Sequence, residues 1–125
     1  MWLQERSWLS VVTMAHSVKI MSANIAMSML GLSDILKRDK PELLFLQEVN
    51  ISTDNVNDIV SRLGYMADCN VDPLHPTLPG TAIVWKNNLK VSEMNQLVER
   101  RAQSVNCAGE QFINVYGALR LSHLL

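Results

Sequence analysis

The sequence is poor in the residues that build most metal and redox sites. It has two cysteines in 125 residues, Cys69 and Cys107, far apart and without CxxC spacing. That pattern excludes a disulfide framework and argues against a zinc site; both read as reduced residues in or near the core. The three histidines, His16, His75 and His123, form no HExxH-type ligand pattern. His16 and His75 read as surface or loop residues. Charge of one sign is also lacking. The formal net charge is -1, with 18% charged residues, so there is no bulk basic signal for nucleic acid. Local gripping of phosphate remains open. No apolar run approaches the ~20 residues that span a bilayer, and no GxGxxG or GxxxxGK[ST] loop suggests a nucleotide or other small organic cofactor. With five Gly and four Pro against 48% hydrophobic residues, collagen-like and disordered classes are excluded as well.

What is present is a chain long enough for one domain with a real core. Residues 1–17 read as an irregular N-terminal extension. Trp8 to Ala15 is apolar and Ala15-His16-Ser17 imitates a small-x-small cleavage site, but Glu5 and Arg6 cancel, so the positive leader of a secretory signal is missing. An intracellular location is expected over secretion. Organised structure begins near Val18. Residues 18–24 alternate as a strand ending in Asn24. A helix is expected from Ser33, its cap, with Leu32, Ile35 and Leu36 on one face, Lys37, Arg38 and Lys40 at its end, and Pro41 as the stop. Leu43-Leu44-Phe45-Leu46 is apolar on both faces and so reads as a buried strand, closed by Gln47-Glu48. Val56, Ile59, Val60 and Leu63 mark a second helix, capped by Ser52 or Thr53 and ended by Gly64.

After that the chain reads as β. A short strand at 65–70 precedes a Pro-rich loop at 72–80. Strands follow at 80–85, 90–96, 102–107 and 111–116, with turns at Asn87-Asn88 and Ala108-Gly109-Glu110. The expected fold is α/β: an opening βαβ unit followed by an antiparallel meander, an incomplete four-layer αββα sandwich.

Two strands joined by one helix should be parallel neighbours, which brings Asn24 and Glu48 to adjacent carboxyl ends, where ligands of α/β sheets collect. A carboxylate ending so apolar a strand needs a partner. Either a hard cation such as Mg²⁺ or Mn²⁺ supplies it, or Glu48 points to solvent just past the strand.

Three segments in order resemble the endonuclease/exonuclease/phosphatase superfamily, above all the N-terminal part of the AP-endonuclease-like endonuclease domains of non-LTR retrotransposons. Val18 to Asn24 resembles the opening strand that ends in an active-site Asn. Lys40-Pro41-Glu42-Leu43-Leu44-Phe45-Leu46-Gln47-Glu48 is similar to the strand whose Glu binds metal. Gly80 to Trp85, followed later by Ile113-Asn114-Val115-Tyr116, is similar to two further strands, the second carrying an active-site Tyr. The resemblance covers residues 18–118 and leaves 119–125 out of register. It implies a Mg²⁺- or Mn²⁺-dependent phosphodiesterase acting on DNA or another phosphodiester. Glu48 would be the metal ligand, Asn24 would orient phosphate and metal-bound groups, and Tyr116 would contact the scissile phosphate. Ala26 replaces the polar residue usual two positions after the Asn, and Gly117-Ala118 breaks the Ala-Pro after the Tyr.

No Asp-x-Asn follows Tyr116, and Ser122-His123 lacks the Asp of a Ser-Asp-His motif. The expectation is a domain fragment, inactive alone and prone to self-association through an uncovered edge, with Ile83, Trp85, Ile113 and Val115 short of cover. The alternatives are a non-catalytic translated relic, a metal- or nucleic-acid-binding remnant, or an incomplete phosphatase or deadenylase of the same superfamily.

Overall fold

The computed structural model describes residues 10–15, 17–24, 29–75 and 77–117. Its elements run β1 (Ser10–Ala15), β2 (Val18–Asn24), α1 (Met29–Arg38), β3 (Leu43–Val49), α2 (Thr53–Arg62), β4 (Tyr65–Asn70), β5 (Gly80–Lys86), β6 (Val91–Val98), β7 (Ala102–Cys107) and β8 (Glu110–Val115). They form a five-stranded sheet in the order β1-β2-β3-β5-β4 and a three-stranded sheet in the order β6-β7-β8. Strands β2 and β3 are parallel, with Ile20 opposite Leu43 and Asn24 opposite Gln47. All the other strand pairs are antiparallel. The expected βαβ opening and β-rich remainder are both present.

Residue alternation sorts the core into two layers. On one face of the first sheet, Met21, Ala23, Leu44, Leu46, Ala82 and Val84 pack with Leu32, Ile35 and Leu36 of α1 and Val56 and Val60 of α2. On the other face, Ile20, Leu43, Phe45 and Ile83 meet Val105, Cys107 and the half-buried Phe112 of the second sheet. Leu43, Leu44 and Leu46 of β3 are within 1% of full burial, so a strand apolar on both faces is sandwiched between helices and a sheet. Each such side chain contributes roughly 1.5–3 kcal/mol on burial. Both cysteines are free thiols; burial pushes the Cys69 thiol up to about 12, with the nearby Asp68 charge adding to it.

Three details differ from the sequence reading. Residues 10–15 are a strand paired with β2, not irregular chain; the β-branched run Val11-Val12-Thr13 favours it. Helix α1 is already formed at Met29, so Ser33 lies inside it and caps nothing. The expected poor cover of Ile83 is also wrong: it is fully buried, and Trp85 is half-buried, because β6–β8 fold back as a second sheet over them. Ile113 and Val115 do stay exposed, at 53% and 40%. Helix α2 is capped as read, with Ser52 Oγ accepting from the Asn55 N–H at 3.3 Å and Gly64 beyond it at φ 85°.

Candidate active site at the strand ends

The carboxyl ends of β2 and β3, the end of β4, the start of β5 and the β6–β7 turn all lie at one end of the sandwich. Asn24 and Glu48 stand there together, with Asn24 Nδ2 donating to Glu48 Oε1 at 3.4 Å. It is a long bond, and the only side-chain hydrogen bond of Glu48 among the described residues.

A β-bulge turns Glu48 toward that position. Along β3, Leu44 and Leu46 face the helices, so strict alternation would place residue 48 on the helix face too. Instead Val49 enters the helix-side core, and the pairing with β5 slips between Gln47 and Val49. Glu48 is the extra residue, at φ 55°. A non-glycine residue in that region costs on the order of 1–3 kcal/mol, and such outliers cluster at functional sites.

The bulge is braced from the second sheet. Gln47 Nε2 donates to Ser22 Oγ at 3.1 Å and to Asn114 Oδ1 at 2.7 Å. Asn114, 2% exposed, donates in turn to the carbonyls of Leu46 at 3.0 Å and Ala82 at 3.1 Å. Beyond it, Gln103 approaches Asn114 Nδ2 at 3.5 Å and donates to Asp68. Burial raises the Asp68 carboxyl above the ordinary aspartate range, partly offset by that hydrogen bond. Thr81 Oγ1 lies buried in the same region without a partner among the described residues.

Tyr116 follows β8. Phe112 meets Phe45 in a tilted pair, with ring centres 6.1 Å apart, and Asn114 meets Gln47, so each two-residue step along β8 matches one along β3. The next step carries Tyr116 to the Glu48 end. No hydrogen bond links it to Asn24 or Glu48 among the described residues. Its ring lies 6.0 Å from the Arg101 guanidinium, and its N–H donates to the Arg101 carbonyl at 2.8 Å. Arg100 in the same turn donates to the Pro79 carbonyl at 3.1 Å. Sequence reading missed this pair of cations; their doubling at a turn facing the Tyr strand was the available signal.

Among the described residues no three His, Cys, Asp or Glu side chains cluster as a ready metal cage. Asp68-Cys69-Asn70 has Asp-x-Asn spacing, but Asn70 is spent on the β6–β7 turn and Asp68 on Gln103. His75 is exposed beside Asp72 at 3.4 Å, as a loop histidine. His16, Ala26, Ala118, Ser122 and His123 lie outside the described residues, as do positions 1–9 and 119–125. A groove of about 660 Å³, lined by Trp85, Leu89, Lys90 and Asn106, opens at the opposite end, away from Glu48.

No family profile matches the sequence, and no curated protein does. Solved structures match its fold. An AP endonuclease from Archaeoglobus fulgidus superposes with a TM-score of 0.59 at 21% identity, over 70% of this chain and 35% of its own. The 3′ phosphatase NExo from Neisseria, bound to a product DNA hairpin, gives 0.57 at 21% identity over the same shares. The catalytic domain of human Nocturnin gives 0.55 at 24% identity, over 86% of this chain and 51% of its own. The chain thus shares its layered α/β fold with part of these structures, and spans about a third to a half of their length.

Proposed function

We propose that the Asn24–Glu48 end of the sandwich is one flank of a divalent-metal-dependent phosphodiesterase site, of the endonuclease type that the retroelement-like segments resemble. The observation that carries it is the meeting of Asn24 and Glu48, 3.4 Å apart, at the carboxyl ends of two parallel strands. The donor set fits a hard cation. A half-buried carboxylate with no basic side chain paired to it among the described residues, beside an amide, suits Mg²⁺ or Mn²⁺. Such ions keep several waters and take one or two carboxylates plus substrate phosphate oxygens.

In this reading Glu48 holds the ion and Asn24 orients the groups around it. Bound there, the ion would stabilise charge developing on the phosphoryl oxygens. Tyr116, at the same end, would reach the phosphate through its hydroxyl. The substrate is DNA or another phosphodiester. No Asp-x-Asn follows Tyr116 and no Ser-Asp-His occurs in the sequence. The 125 residues therefore hold no matched group to activate water, a service worth ~10²–10⁴-fold. We infer binding without family-typical turnover.

Fold likeness to the 3′ phosphatase, nearly equal to that to the AP endonuclease, supports a second reading as part of a phosphatase of the same superfamily. Titration with Mn²⁺, followed by water-proton relaxation, tests the metal site: wild type should bind weakly and Glu48→Gln not at all. Equal affinity of the two would remove Glu48 as the ligand. A nicking assay on supercoiled plasmid with Mg²⁺ tests the rest. Robust metal-dependent nicking would show that other residues complete the site.

A further inference from the structure

We propose that Gln47 and Asn114 are positioning residues, an amide clamp between the two sheets that fixes the β3 bulge and so aims Glu48 at Asn24. The role of the clamp in metal binding rests on the functional reading above; its role in shaping the bulge does not.

The clamp sits where the β3–β5 ladder breaks. The register slips immediately after Gln47, and Asn114 Nδ2 donates to the carbonyls of Leu46 and Ala82, which are paired one step before the last regular pair, Gln47 with Thr81. The carbonyl oxygen of the same Asn114 side chain accepts from Gln47 at 2.7 Å. Gln47 also donates to Ser22 on β2, two residues before Asn24. One buried side chain from the second sheet therefore ties together β3, β5 and, through Gln47, β2. These are the strands whose relative placement decides whether Glu48 and Asn24 meet.

Sterics alone would not hold Glu48 as it is. Its φ of 55° is unfavourable for a side chain with a Cβ, and relaxing it would restore strict alternation and carry the carboxylate toward the helix face. A bulge persists where surrounding contacts over-determine it. Here those contacts are Val49 in the helix-side core and the Gln47–Asn114 amides on the opposite face. Partners of this kind, behind a ligand rather than on the metal, typically change metal affinity 10–100-fold when removed.

The test uses two near-isosteric variants, Asn114→Leu and Gln47→Met, in the full chain. Gln47 is only half-buried, so Gln47→Met should fold even if Asn114→Leu does not. Two nuclear Overhauser signals are read: the cross-peak from the Asn24 side-chain amide to the Glu48 γ protons, and the strong intraresidue Hα–HN peak that a positive φ gives at Glu48. Both should be present in wild type and lost or weakened in each folded variant, with amide exchange in the cores of β2 and β3 unchanged. Mn²⁺ affinity should fall about tenfold or more in the same samples, with Glu48 itself intact. Absence of the two signals in wild type, or their persistence in the folded variants, overturns the clamp. If wild type shows no Glu48-dependent Mn²⁺ binding, the metal reading fails, and the two signals still decide the clamp.

Discussion

Arg100 donates its backbone N–H to Asn70 Oδ1 at 2.9 Å, so a side chain at the end of β4 closes a turn of the other sheet. The amide of the same Asn70 donates to the carbonyls of Val98 and Ala102, at 2.9 and 3.2 Å, on either side of that turn. Asn70 is 1% exposed, and water cannot replace these bonds without opening the sandwich. Asn70→Ala should therefore cost about 2–3 kcal/mol, three modest hydrogen bonds of which one leaves the Arg100 N–H without its acceptor. Urea denaturation measures the loss. Amide exchange at Glu99–Arg101 should accelerate in parallel, since this turn carries the two arginines near Tyr116. A loss below about 0.5 kcal/mol would show the turn to be held by its own backbone.

Gly80 is required by space. A Cβ there would lie 2.4 Å from the Asn70 carbonyl oxygen and 2.8 Å from Val71 Cγ1. The first obstacle is backbone, and it is the strand end that carries Asn70. Gly64 differs, with φ 85° and open space around its Cα. Gly64→Ala should cost about 1 kcal/mol, the strain of a left-handed residue alone. Gly80→Ala should reach about 1–3 kcal/mol through overpacking and should also loosen the Asn70 turn. The ranking is the test. If thermal melts place Gly64→Ala as the more damaging change, the approach of β4 to β5 at Gly80 is looser than described.

Asp68 gives a pH dependence with a definite sign. Burial raises its carboxyl above the ordinary value, so between that value, about 4, and the raised one the folded protein binds a proton that the unfolded chain has released. Stability from this residue therefore falls as pH rises through the window, and the penalty is fully present above it. Asp68→Asn keeps an oxygen for Gln103 and removes the titration. Its stability relative to wild type should improve from pH 3.5 to pH 7, as urea midpoints at both values would show. A difference independent of pH, or one of opposite sign, would mean that Asp68 is better solvated than its contact with Gln103 suggests.

Much of this architecture was legible in the sequence because periodicity reports burial. The apolar run at Leu43–Leu46 marked a strand covered on both faces, and Val56, Ile59, Val60 and Leu63 marked α2. What periodicity could not report was chain pairing at a distance. It missed β1, whose partner lies across a turn at Ser17. It also left Ile83 and Trp85 uncovered, because nothing local says that β6–β8 turn back onto them. The placement of Asn24 beside Glu48 followed from the crossover rule. The bulge did not, since alternation alone assigns residue 48 to the helix face. Asn114 was noticed only as part of the Tyr strand, because a buried asparagine looks the same in sequence as an exposed one.

The outer face of the second sheet carries the last prediction. Ile113 and Val115 alternate with Phe112 and Asn114 on β8; the inner pair packs or bonds toward the first sheet, and the outer pair is exposed at 53% and 40%. Among the described residues β8 pairs with β7 alone and forms the edge of the second sheet. An edge strand that carries exposed apolar side chains is a template for pairing with a second copy. A net charge of -1 supplies little repulsion to prevent it. Two exposed side chains are far short of the ~1,000 Å² expected of a stable interface, so the association should be weak and concentration-dependent. Sedimentation velocity between about 10 and 300 μM should show a rising mean mass, more so in high salt, as apolar contact requires. Val115→Lys places a charge on the edge without entering the core and should restore a monomer with an unchanged circular dichroism spectrum. Ile113→Thr lowers apolarity but leaves the edge uncharged, and should weaken association less. A wild-type chain that stays monomeric across that range, or a Val115→Lys variant that associates equally, would show that β8 is not the surface through which copies meet.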